Sequence, residues 1–171
     1  MCIRDRRNKG VIFNTPEGSF MIELFPEDAP IHVYRFLELV KSGYYEDTIF
    51  HRIIPGFMIQ GGDPNTKDPE SDRSTWGGGG PGYNIDNEFN TIKHVRGIVS
   101  MARRGDEPES GSQFFIMVKY SDRAKKNDGK FTVIGRVIEG MDVVDEISGV
   151  PRDFRDNPNS PIPMNVRIET R

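Results

Sequence analysis

In the stretch "FHRIIPGFMIQGGDP", residues 50–64, Arg52 and Gln60 stand among Phe57, Met58 and three glycines, with no hydroxyl or thiol nucleophile and no acid before Asp63. A guanidinium beside bulky apolar side chains breaks no covalent bond by itself. It can, however, donate charge-assisted hydrogen bonds to a polar group held away from water, where such bonds strengthen. The same mixture returns downstream: Ala102 and Arg103 in "MARRG", Gln113 and Phe115 in "SGSQFFI", and Phe131 after "DGK".

Other chemistries find less support. His32, His51 and His94 show none of the short spacings of zinc ligands, so no metal and no cofactor is expected. His51, although next to Arg52, is read as a packing residue. The run "WGGGGPGYNIDNEF" lacks the Gly-Lys-Ser/Thr ending of a phosphate-binding loop, so its glycines are assigned to turns and close backbone approach beside a groove. Ser110 and Ser112 do not sit in a Gly-x-Ser-x-Gly elbow.

The totals narrow the class. The 171 residues, 35% of them apolar, suit one globular domain. With 23 Lys plus Arg against 26 Asp plus Glu, the net charge is −3, so there is no general basic field to gather nucleic acid or anionic lipid. Cys2 is the single cysteine, which leaves stability to packing rather than disulfides. No apolar run reaches membrane-spanning length and the start lacks the apolar centre of a secretory leader, so no membrane partner and a cytoplasmic location are expected; a leader lost from the front stays open. Residues 1–9 are set apart as an extension, and residues 10–171 form the single domain.

The elements that must hold these side chains read mainly as strands. "GVIFNTPEGSFMIELF" is a hairpin over 10–25, turning at Pro16 to Gly18. Val33, Phe36, Leu37 and Val40 recur at i, i+3, i+4 and i+7 behind Asp28 and Pro30, which predicts a helix over 30–41. Strands are expected at 50–54, 57–61, 97–101, 113–118 and 131–138, a second helix at 140–147, and a final half-buried strand around Val166 and Ile168. Many short strands with two helices favour an antiparallel sheet closed into a barrel, since closure removes exposed edges.

Taken together, "FHRIIPGFMIQGGDP", "GIVSMAR", "SGSQFFI" and "DGKFTVIGRVIEGMDVVDEI" resemble, in order and spacing, the cyclophilin family of peptidyl-prolyl isomerases over roughly residues 10–170. The resemblance implies a closed eight-stranded antiparallel β-barrel capped by two helices, acting as a monomer on proline-containing peptides and unfolded segments. It places Arg52 as donor to the twisting imide and Phe57, Met58 and Phe115 around the proline ring. Gln60 and Gln113 then orient Arg52 and the peptide, and Ala102 and Arg103 bind the peptide backbone.

Such chemistry needs no nucleophile: rotation about an X-Pro bond loses amide resonance over a barrier of about 18–20 kcal/mol, and no bond breaks. The loop "VKYSDRAKKNDGKF" departs from the family. Where well-known members carry tryptophan and leucine before "DGK", this chain has Lys126 and Asn127, so weak cyclosporin binding is expected. Phe131 replaces a common histidine and restores part of the apolar wall. Arg103 and Arg104 suggest a preference for acidic residues near the proline. A non-catalytic proline-peptide binding module is the rival reading; RNA binding through Arg103-Arg104 and Lys125-Lys126 ranks third.

Overall fold

Alternation of apolar and polar side chains builds the first hairpin. In β1 (Lys9–Thr15) and β2 (Gly18–Leu24), Val11, Phe13, Phe20, Ile22 and Leu24 are buried while Ile12, Asn14, Met21 and Glu23 are only partly covered. The register pairs Phe13 with Phe20, whose rings stack with centroids 4.8 Å apart. The computed structural model describes residues 9–105 and 109–170. The extension expected at 1–9 therefore lies outside the described residues except for Lys9, which opens β1.

Helix α1 occupies Pro30–Lys41, as its periodicity predicts, and buries Val33, Phe36, Leu37, Leu39 and Val40. Its first turn carries no side-chain cap of its own. The unpaired N–H groups are met from far away in the chain: Glu88 accepts from the backbone of Ile31 (3.2 Å) and His32 (2.7 Å). A carboxylate there also suits the positive end of the helix.

The remaining strands are β3 (Arg52–Ile54), β4 (Met58–Gly61), β5 (Ile98–Arg103), β6 (Glu109–Met117), β7 (Val133–Glu139) and β8 (Asn165–Thr170). They form one antiparallel sheet in the order β3-β4-β6-β5-β7-β2-β1-β8. Between β6 and β7 lies α2 (Asp122–Lys125), and after β7 comes α3 (Met141–Ser148). Among the described residues the expected two α-helices are thus corrected to three. Ser121 accepts from the Ala124 N–H at 3.3 Å, and Ala124 is wholly buried, which is enough to nucleate one turn inside a charged loop.

Closure is corrected too. The sheet is open and curled, with β3 and β8 at its edges and no ladder between them among the described residues. The segments ahead of each edge do touch. Asp47 N–H donates to Met164 O (3.1 Å), Met164 N–H to Thr48 O (2.9 Å) and Phe50 N–H to Ile162 O (3.3 Å), and Ile49 pairs with Pro163. Pro161 and Pro163 lack the N–H donors that a continuous ladder would need.

The core lies inside the curl, where α1 and α3 pack against the inner face of the sheet. Phe114 of β6 is its centre, with ring centroids 5.6 Å from Phe13, 5.8 Å from Tyr45, and 6.1 Å from both Phe36 and Phe50. Three of these four contacts are edge-to-face, a geometry that adds to plain burial. Strand packing is also tight at Gly135 of β7, where a Cβ would overlap the Glu23 carbonyl of β2. Replacing Phe114 with Ala should cost about 3–5 kcal/mol in urea unfolding; a loss below about 1 kcal/mol would show that the ring nest does not hold the core.

Candidate active site

The pleat of the sheet decides which side chains meet. Arg52 pairs with Gln60, Gln60 with Phe115, and Phe115 with Ser100, so these four form one row across β3, β4, β6 and β5 on the face away from the core. Their chain neighbours Ile53, Ile59, Phe114 and Val99 point inward. Two residues along, Met58 and Met117 pair on the same outer face. There a second apolar cluster forms from Met58, Ile98, Ala102, Phe115, Met117 and Val133, with Phe57 and Phe131 packed against it.

Eight of the nine residues expected at the site line one groove of about 390 Å³: Arg52, Phe57, Met58, Gln60, Ala102, Arg103, Phe115 and Phe131. The ninth, Gln113, lines an adjoining groove of about 690 Å³ together with Gln60, Ala102 and Arg103, beside the loop Gly77–Gly80. In the aromatic wall Phe115 and Phe131 meet edge to face, with centroids 5.4 Å apart and an interplanar angle of 87°.

Polar residues fix the rim. Gln60 Nε2 donates to Gln113 Oε1 at 3.1 Å, and Gln113 Nε2 donates to the carbonyls of Gly77 (3.0 Å) and Gly79 (2.8 Å). The glutamine pair thus ties β4 and β6 to the glycine loop rather than hydrogen bonding to Arg52. Asp63, fully buried, accepts from the Asn65 N–H within its own turn and holds the start of the glycine loop through the Gly77 N–H. A Cβ on Gly79 would overlap the Asp63 carboxylate, so glycine is required by close approach.

Arg52 is half-buried and has no ion pair or side-chain hydrogen bond among the described residues. Burial, and after it the Arg123 cation, lower its pKa below the ordinary arginine value. Arginine nonetheless remains a cation, with five N–H donors in a planar fork. Arg103 is more committed. Its Nε donates to Lys130 O (2.9 Å) and its Nη1 to Gly105 O (2.8 Å), while the guanidinium lies 5.0 Å from the Phe131 centroid. Its side chain therefore braces the rim, beyond the backbone role that the sequence resemblance implies.

Several supporting residues escape sequence reading. His94 stacks beneath Phe115, with centroids 5.9 Å apart and an angle of 13°. Its backbone N–H donates to Asp128 at 2.7 Å, Nδ1 lies 3.1 Å from the same carboxylate, and Nε2 lies 3.0 Å from Ser100 Oγ. Tyr120 completes the chain by donating to Asp128 at 2.6 Å. Burial lowers the His94 pKa against the opposing pull of Asp128. Arg123, 4.2 Å above the Phe57 ring, joins Lys126 and Asn127 on the groove wall. The one sequence signal for Arg123 was its place in the loop that departs from the family.

The family described as cyclophilin type peptidyl-prolyl cis-trans isomerase matches residues 10–168, and the chain belongs to it. A peptidyl-prolyl cis-trans isomerase of Acinetobacter baylyi is 40% identical over 147 residues, covering 84% of this chain and 74% of its own. Peptidyl-prolyl cis-trans isomerase-like 2 of Rhizopus delemar is 42% identical over 149 residues; these cover 86% of this chain but only 26% of that longer protein. The crystal structure of a Cryptosporidium parvum cyclophilin-type isomerase, in the presence of the dipeptide Ala-Pro, is 34% identical with a TM-score of 0.82, covering 95% of this chain and 99% of that one.

His51, beside Arg52 in the chain, is buried and its pKa is pushed down to about 4, chiefly by desolvation. The folded state thus resists protonating a group that the unfolded chain protonates near 6.5, so His51 contributes stability that is full above pH 6.5 and lost as pH falls toward 4. The loss across that window should be on the order of 3 kcal/mol, with about one proton taken up on unfolding. Urea titrations at several pH values should show this slope in the parent and a flatter one in His51→Gln; equal slopes would refute the assignment.

Proposed function

We propose that this cyclophilin-type isomerase accelerates X-Pro rotation by binding the proline ring in the groove of Phe57, Met58, Phe115 and Phe131 while Arg52 donates to the twisting imide. The observation that carries this reading is the half-buried Arg52 guanidinium, without a hydrogen-bond partner among the described residues, on the wall of an apolar groove. The planar amide is charge-separated and favoured by water. When it twists, the proline nitrogen regains a lone pair and becomes a better acceptor. A groove that removes water and offers a charged donor therefore favours the twisted form over either planar isomer.

Gln60 and Gln113 position the peptide, since their amides already join the sheet to the glycine loop. Ala102 and Arg103 line both grooves and are read as the contact between them. The crystallised Cryptosporidium parvum relative was studied with Ala-Pro, which supports proline-containing peptides as ligands here. Cyclosporin should bind weakly, because Lys126 and Asn127 give this wall a charged and polar edge.

Exchange NMR of a short Ala-Pro peptide tests the assignment. Arg52→Ala should lower kcat/KM about 10- to 150-fold, as expected for loss of a charged hydrogen bond made mainly in the transition state. Peptide affinity and unfolding midpoint should change little by comparison. Arg52→Lys should recover only part of the rate, because an ammonium lacks the planar fork. Peptide binding without acceleration by the parent protein would replace the enzyme with a proline-binding module.

A further inference from the structure

The groove that receives the proline is lined by four cations, Arg52, Arg103, Arg123 and Lys126, and by no aspartate or glutamate, although the chain as a whole carries a formal charge of −3. Arg103 is accounted for by its carbonyl partners and by Phe131. Arg52 and Arg123 are not. Neither guanidinium has an ion pair or a side-chain hydrogen bond among the described residues, and that of Arg123 lies 4.2 Å from the Phe57 ring centroid.

Nearby acids are already engaged. Asp122 pairs with Lys125 (3.5 Å), Asp156 with Arg152 (3.5 Å), and Asp128 accepts from Tyr120 and the backbone of His94. Two guanidinium groups on one partly apolar wall repel one another, and a carboxylate placed between them relieves that repulsion while matching the arginine fork. Burial first, and then Arg123, lower the Arg52 pKa, while Asp156 pulls it the other way.

We propose that Arg123, acting with Arg52, makes the isomerase selective for X-Pro segments that carry aspartate or glutamate within one or two residues of the proline. This rests on the proline-groove reading above and specifies its substrate class. It also moves the acidic preference expected of Arg103 and Arg104 to the short helix α2. Arg103 faces carbonyls and aromatic rings, whereas Arg123 is presented to the groove by one helical turn capped by Ser121.

A peptide series with Glu, Gln or Lys at one or two positions before or after the proline tests this, read as Kd by fluorescence anisotropy and as kcat/KM by exchange NMR. At the favoured position Glu should exceed Gln by about 3- to 10-fold at low salt, the range for partly exposed to partly desolvated ion pairs. The ratio should shrink toward one at about 0.5 M salt. Arg123→Ala should abolish it, and Arg123→Glu should turn it toward Lys. Equal handling of Glu and Gln at every position, a Glu preference untouched by both variants, or salt-sensitive RNA binding without Glu discrimination would each overturn the proposal. Should no peptide be turned over at all, the isomerase reading fails on its own, and the Kd ratios still decide the acidic preference.

Discussion

Phe114 and Phe115 are consecutive residues of β6, and the pleat sends them to opposite faces of the sheet. Phe114 is the hub of the aromatic core, and Phe115 is the floor of the groove. Everything at the site inherits from this one constraint. β6 cannot slip by a residue without placing the core ring in the groove and the groove ring in the core. Because β4 and β5 flank β6, the same register fixes Gln60, Met58 and Ser100. The rigidity of the groove is therefore the rigidity of the core, carried through the backbone of one strand.

Local pattern made much of this legible from sequence. Helix 30–41 follows from a single apolar stripe with proline at its start, and the first hairpin from clean alternation around Pro16 and Gly18. The nine expected site residues come together because they sit in the blocks that resemble the family. What escaped was long-range. Glu88 caps α1 across 56 and 57 positions, the chain Tyr120-Asp128-His94-Ser100 joins two loops to a strand, and Asp63 secures a loop fourteen residues on. Such partners have no sequence spacing to betray them. The open seam was missed because closure was argued from the general advantage of removing edges, whereas Pro161 and Pro163 lack the donors a ladder beside β3 would need.

Net charge also misleads at the scale of a site. A mildly acidic chain suggests no preference for anions, yet the charged residues that line the groove of Phe57 and Phe115 are all cations. Fields from distant carboxylates are screened within about 10 Å at moderate salt, whereas Arg52 and Arg123 share one wall. The relevant charge is that of the groove, and the loop that holds α2 sets it by bringing Arg123 and Lys126 to the lining.

The groove and its arginine must act together, as a comparison of magnitudes shows. A rate gain on the order of 10⁵ requires about 7 kcal/mol off the barrier. A hydrogen bond to a charged group contributes about 1.5–3 kcal/mol. On the proposed reading, Arg52 therefore supplies less than half of the effect, and the larger share belongs to desolvation and shape, with Phe57, Met58, Phe115 and Phe131 holding the ring while the preceding carbonyl turns. This explains why the polar residues of the site are braced against one another rather than against Arg52. On the same reading, the glutamine pair and the glycine loop keep the groove's form, and the guanidinium, without a side-chain hydrogen bond among the described residues, offers its donors to the acceptor that appears midway through the rotation.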